Sequence, residues 1–398
     1  MKQDYLWSYH FVVDGDNLWF VPYWYNILCM YNIKSKKLEL VKKLPQDNVI
    51  EGIYLNLVKA GQYLVLVPMY AQEICIYEMH AGEFKCLKVH SKAGLGSGLF
   101  STGIWKNNVY MFAAAYPEIL KLDMQSGCVG EIPVRSIPDG LVYGDEGCNN
   151  LFMQSSVSEN KIDLLMFNSS YVLSFNMDTE TGEFLKIGNG GDRYLSVCRV
   201  SSGELFLICK NGSLIVYDER RKVITAVKNL VIEGCGGNVF EQCQNFIECA
   251  EYGNFVYFFV SSMMIEVDRH HYRVRKAWFS DILTEDNDGR RTKDYTENFF
   301  AVKKEGDVLY VHNRMQGIFY CIDMMAKKVE KFCIPLDTLS GDDMKIMFGQ
   351  YKNIAIEGKA LYLSLDNLLA QLDDERSPFG TKKNVGRQIW ETMKSIRM

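Results

Sequence analysis

The chain has 398 residues, is 48% hydrophobic and 13% aromatic, and carries a formal net charge of −5 at pH 7. That apolar share can fill a large core, whereas the acidic balance lacks the basic footprint of a nucleic-acid binder, and no apolar run reaches the ~18 residues of a membrane-spanning helix. The opening MKQDYLWSYHFVV has no secretory apolar region, and the 12 cysteines are scattered singly with no CxxC, so the expectation is a cytoplasmic protein without a disulfide framework.

The first unit sets the grammar of the rest. Tyr9–Val13 reads as a short strand, Asp14-Gly15-Asp16-Asn17 as a turn, and Leu18–Val21 as a second strand. Ile27–Tyr31 is a third strand, Lys34–Lys37 a charged turn, and Leu38–Val41 a fourth strand. The same order returns along the chain. It is marked by an apolar or aromatic residue followed by an acid or amide: Tyr31-Asn32, Tyr77-Glu78, Leu122-Asp123, Phe175-Asn176, Tyr217-Asp218, Val267-Asp268, Ile322-Asp323 and Leu372-Asp373. A period of roughly 40–55 residues with four strand signals per unit is what a propeller blade needs. Uninterrupted apolar strands such as Tyr63–Val67 and Phe255–Val260 need cover on both faces, which neighbouring blades supply.

The repeat count predicts an all-β, eight-bladed β-propeller, with seven blades as the alternative, spanning residues 1–376 as a single domain. The eighth unit lacks a fourth strand, so residues 2–7 are expected to supply it and close the ring. Residues 377–398 read as a linker and a C-terminal amphipathic helix, in which Ile389, Trp390, Met393 and Ile396 fall at helical spacing.

Gly212–Asp218 (GSLIVYD) is similar to the end of a WD40 repeat, with Tyr217 in place of the tryptophan. Gly306–Glu330 resembles quinoprotein-type and kelch-like repeats, in which a strand with a tyrosine leads to Ile- or Leu-Asp and a turn. The resemblance spans nearly the whole chain and implies a propeller fold. The repeated WD dipeptide, the regular double glycines and the adjacent cysteine pair of those families are absent, so it brings no cofactor and no active-site residue.

Turns of the first and third kind are short and belong to one rim. The loops between second and third strands, with the long connections between units, share the other face, where function is expected. Candidate ligand-binding residues there are Tyr23, Trp24, Tyr25, Tyr70, Tyr116, Glu118, His312, Arg314 and Asp366, because exposed aromatics and arginine are typical anchors for partners or sugars. His312, Arg314 and Asp366 also bring a base, a cation and an acid onto neighbouring units. Acids in the long connections, among them Glu51, Asp145, Glu146, Asp192, Glu241 and Glu297, could converge on the axis, where paired carboxylates would suit glycoside chemistry. Cys235, Cys243 and Cys249 lack zinc-ligand spacing. Asp286-Asn287-Asp288-Gly289 lacks the calcium-loop glutamate, because position 295 is Tyr. The expectation is a monomer that takes a protein, peptide or carbohydrate, with no nucleic acid, no membrane, no metal and no cofactor. The alternative is a hydrolase or lyase acting on a glycan or peptide in an axial pocket.

Overall fold

A computed structural model describes residues 6, 8–23, 25–45, 53–69, 71–89, 99–113, 118–138, 154–166, 169–189, 192–230, 240, 247–260, 263–284, 300–314 and 317–334. These form seven four-stranded antiparallel sheets, each with its strands paired in chain order. The blades cover residues 11–43, 54–88, 99–133, 155–186, 194–229, 248–276 and 300–333.

The first strand of each blade lies innermost. These strands are Phe11–Asp14, Tyr54–Ala60, Leu99–Trp105, Ser155–Ser158, Tyr194–Arg199, Glu248–Tyr252 and Phe300–Glu305. Each neighbours the next around the axis, and the last returns to the first. The apolar core is divided in the same way, into clusters that each join two adjacent blades. A blade therefore buries both faces, which is why its second and third strands are almost wholly apolar. Its outermost strand is mostly exposed and alternates, as in Lys37–Lys43.

The marker at the end of the third strand has a local physical cause in six of the seven blades. The side-chain oxygen of Asp123 accepts the backbone N–H groups of Gln125 and Ser126. Asn32, Asn176, Asp218, Asp268 and Asp323 cap the corresponding turns in their own blades. These short polar side chains mimic a backbone turn and so begin the hairpin to the fourth strand. The N–H of Ser126, then that of Gln125, hold the Asp123 carboxyl below the usual range, and His271 does the same for Asp268.

The blade count corrects the preferred sequence expectation from eight to the alternative, seven. Phe11, Leu18 and Phe20 of blade 1 pack directly on Ala301 and Phe319 of blade 7, which leaves no slot between them. The repeat rhythm counts similar segments, whereas the number that closes a ring is set by how the sheets wedge together. The eighth unit and the C-terminal helix lie outside the described residues. Of residues 2–7 only Leu6 is described among those bearing on closure: its N–H donates to the Ile334 carbonyl at 3.0 Å, and its side chain is buried in the cluster between blades 7 and 1.

Two further features differ from expectation. Cys75 and Cys86 stand opposite each other on the third and fourth strands of blade 2, with Cα atoms 4.4 Å apart, and are joined as a disulfide. The connection that follows blade 6 also opens with a short helix, Ser280–Thr284, where the long connections were read as loops. The Met264 N–H donates to Ser280 Oγ at 2.9 Å, tying that helix to blade 6. Among the described residues no helix is long and apolar enough to cross a membrane.

Candidate functional site: a charged axial cavity under an aromatic rim

The innermost strands have one edge with no sheet partner, and it faces the axis. A cavity of about 350 Å³ lies there, walled largely by hydroxyls, amides and charged groups such as Ser101, Thr102, Ser156 and Glu248. Polar residues suit this edge because its backbone and side chains meet water rather than another blade. Several of them stitch neighbouring blades together. The Gln154 side chain accepts the Val197 N–H at 3.0 Å and donates to the Val197 carbonyl at 3.2 Å, while Arg199 N–H donates to Ser156 Oγ at 2.9 Å.

One sector carries unbalanced charge. Glu248 opens the innermost strand of blade 6, His10 immediately precedes that of blade 1, and Lys303 lies within that of blade 7; all line the cavity. Arg314 sits at the cavity's margin, one residue past the second strand of blade 7, with Nη2 3.8 Å from Glu248 Oε1. That is an ion pair too long for a hydrogen bond. Arg314 Nε has no hydrogen-bond partner among the described residues. Contrast Glu251, on the same strand as Glu248, which accepts the N–H and the hydroxyl of Ser201 and pairs with Arg269.

The electrostatics follow from that confinement. The Glu248 side chain is 29% accessible. That surface opens onto the cavity, with protein on its other sides, so the carboxylate behaves largely as a buried one. Burial raises its pKa, against the pull of Arg314 and Lys303. Burial lowers the Lys303 ammonium; Glu248 opposes this and Arg314 adds to it. His10 is driven well below its ordinary value, first by burial and then by Arg314 and Lys303, so it is neutral near pH 7.

Above this sector lies an aromatic rim on the face of the long connections. The Arg314 guanidinium stands 5.0 Å from the centre of the Tyr9 ring. Tyr9 in turn packs on Tyr23, with centroids 5.3 Å apart and rings tilted by 52°. The contact is a cation–π one, continued into an aromatic pair.

Of the expected site residues, the structure therefore brings Tyr23 and Arg314 into one cluster. Tyr25 is half-buried against the cluster between blades 7 and 1, and burial pushes its hydroxyl up to about 12. His312 is fully buried, its ring stacked on Phe319 at 3.9 Å between centroids and edge-on to Phe11. Its ring nitrogens make no hydrogen bond of good geometry among the described residues. Its place is in the wall rather than in the cavity. Glu118 opens the third strand of blade 3, across the ring from Arg314. Trp24, Tyr70, Tyr116 and Asp366 lie outside the described residues. Of the six acids expected to converge from the long connections, only Asp192 is described, and it accepts the Asn189 N–H at 2.8 Å in a local turn.

The sequence reading missed Tyr9, His10, Glu248 and Lys303. Glu248 and Lys303 are on innermost strands and Tyr9 and His10 fall just before one; for Glu248 and Lys303 a usable signal existed, a charge within an otherwise strand-like first segment. The cavity also holds Cys198 and Cys249, from adjacent innermost strands; the Cys249 thiol donates to the Val197 carbonyl at 3.2 Å. Among the described residues no group of three or more His, Cys, Asp or Glu could hold a metal ion.

No family model matches the chain, and no curated protein matches it in sequence. Solved structures do match in shape. A catalytically inactive variant of virginiamycin B lyase from Staphylococcus aureus, with quinupristin, superposes with a TM-score of 0.58 at 10% identity, covering 83% of this chain and 96% of that one. YCF48 bound to D1 peptide gives 0.53 at 9% identity, over 78% of this chain and 89% of that one. The computationally designed Ika8 protein gives 0.52 at 9% identity, over 83% and 87%. At such identities these likenesses establish one thing, that the chain is a β-propeller.

Proposed function

We propose that this protein is a binding propeller that takes a peptide or protein segment on the face of its long connections, seated on the Tyr9–Tyr23–Arg314 rim over the axial cavity. The observation that carries the reading is the continuity of that cluster: an aromatic pair, a guanidinium over one ring, and a polar cavity beside it. Rigid aromatics give contact area at low entropic cost, and arginine adds directional polar contact. Two structural neighbours hold ligands, quinupristin on the lyase and D1 peptide on YCF48. The test is a hexapeptide array probed with wild type and with Tyr23→Ala. Spots bound by wild type and lost or weakened about thirtyfold in the variant support the reading, since a central aromatic anchor contributes roughly 2 kcal/mol. An identical pattern for both proteins contradicts it.

A second reading, acid–base catalysis by a lyase or hydrolase, draws on a separate observation. Glu248, with its raised pKa, and the neutral His10 face the same cavity. Groups pushed toward neutrality from opposite sides can exchange protons with a substrate. Turnover of a bound peptide that disappears in Glu248→Gln would favour this reading over simple binding.

A further inference from the structure

The charged sector of the cavity contains more positive charge than it neutralises. Lys303 and Arg314 are two cations, Glu248 is one anion, and His10 is neutral near pH 7, so one positive charge remains. Glu248 is 3.8 Å from Arg314 and makes no closer ion pair among the described residues. Lys303 has no ion-pair or hydrogen-bond partner among the described residues, although it lines a confined cavity. An ammonium in such a place is destabilised unless an anion joins it. Elsewhere on the axis the described charges find partners, Lys304 over the Tyr252 ring among them. Arg199 is held by Asp163 and Glu219, and Glu251 by Arg269 and Ser201. The deficit is confined to one side, directly beneath the aromatic rim.

We propose that this sector is a receptacle for a carboxylate, presented by the ligand's C terminus or by an acidic side chain, with Lys303 as its contact. This deepens the binding reading and rests on it. Lys303 donates to the carboxylate, Arg314 keeps the local potential positive, and Glu248 limits the strength and selects a single negative charge. A cavity of about 350 Å³ admits one residue-sized group. A phosphate, with close to two negative charges at neutral pH, would meet one spare positive charge and the Glu248 carboxylate, which disfavours it. Glu248 is thus a specificity element: its field rejects what its neighbours attract.

The experiment uses the full chain and three proteins: wild type, Lys303→Met and Glu248→Gln. The probes are the hexapeptide array in two forms, free C-terminal carboxylate and C-terminal amide, with hits measured by isothermal titration calorimetry. Thermal melts verify that each variant folds; Lys303→Met keeps the stem while removing an unpaired charge. For hits carrying a carboxylate, Lys303→Met weakens binding by about tenfold or more, the worth of a hydrogen bond to a charged group. Glu248→Gln strengthens the same hits several-fold. Loss on amidation assigns the carboxylate to the C terminus; persistence on amidation with loss on Glu-to-Gln or Asp-to-Asn replacement in the peptide assigns it to a side chain. Peptide binding that ignores every carboxylate and both cavity variants overturns the receptacle and leaves the rim reading standing. The same variants shifting affinity in one direction also overturn it. Absence of any peptide hit overturns both readings together.

Discussion

Arg199 grips Asp163 with two parallel hydrogen bonds, Nε to one carboxylate oxygen at 2.5 Å and Nη2 to the other at 2.7 Å. The two residues belong to blades 5 and 4, and Asp163 is fully buried. Nη1 continues to Glu219 at 2.7 Å, and Glu219 accepts from Lys161 at 2.9 Å. The blades on this side of the ring are therefore joined by charge as well as by apolar packing. Arg199→Met leaves Asp163 buried without its partner and should cost about 3–5 kcal/mol. The double variant Arg199→Met with Asp163→Leu should recover most of that loss, because a well-packed apolar pair replaces a desolvated ionic one. Chemical denaturation of the three proteins measures both.

Acid should weaken the fold through His10 and His312. Burial pushes both well below their ordinary value of 6.5; the Arg314 charge pushes the same way, while the Ser8 backbone opposes it at His312. A depressed histidine stays neutral in the folded chain while the unfolded chain takes up a proton. Stability is thus full above the unfolded value and falls as pH drops below it, by up to about 1.4 kcal/mol per pH unit for each histidine. His312→Phe keeps a ring to stack on Phe319 and removes one titrating group. Melting temperatures between pH 7.5 and 5 should show a shallower acid slope in the variant than in wild type.

Glu159 occupies a first-turn position with φ of 50°, where Gly15, Gly61, Gly253 and Gly306 stand in other blades at φ of 57° to 62°. The left-handed backbone costs a residue with a Cβ on the order of 1 kcal/mol. Glu159→Gly should relieve that cost, partly offset by a more flexible unfolded chain. A small rise in the denaturation midpoint is the expected result; a clear fall would mean that the Glu159 side chain supports the turn.

Much of the architecture was legible because six of the seven blades repeat a chemical device. The Asp or Asn that ends their third strand is both the marker in the sequence and the cap in the structure, as Asp323 and Ala326 illustrate; blade 2 has Glu78 in that place. Strand alternation revealed which residues enter the blade interfaces. Alternation alone did not reveal which touch the axis, because that depends on the innermost strand's free edge, where Lys303 and Glu248 stand. Tyr23 and Arg314 were legible as loop aromatics and cations, but the tyrosine between them, Tyr9, was assigned to a strand. His312 looked available beside Arg314, yet strand pairing turns it toward Phe319, into the wall. The blade number was the least legible feature, since an additional repeat-like segment does not specify whether a ring has room for it.

The closed seven-blade ring sets where the cavity and its rim stand, and it makes Phe11 of blade 1 and Phe319 of blade 7 direct neighbours, edge to face with centroids 5.6 Å apart. A double-mutant cycle on Phe11→Leu and Phe319→Leu, read by equilibrium denaturation, tests that junction. The closed ring predicts a coupling of about 0.5–1.5 kcal/mol between the two rings. Additive effects with no coupling would mean that something else lies between blades 7 and 1, and would contradict the seven-blade closure.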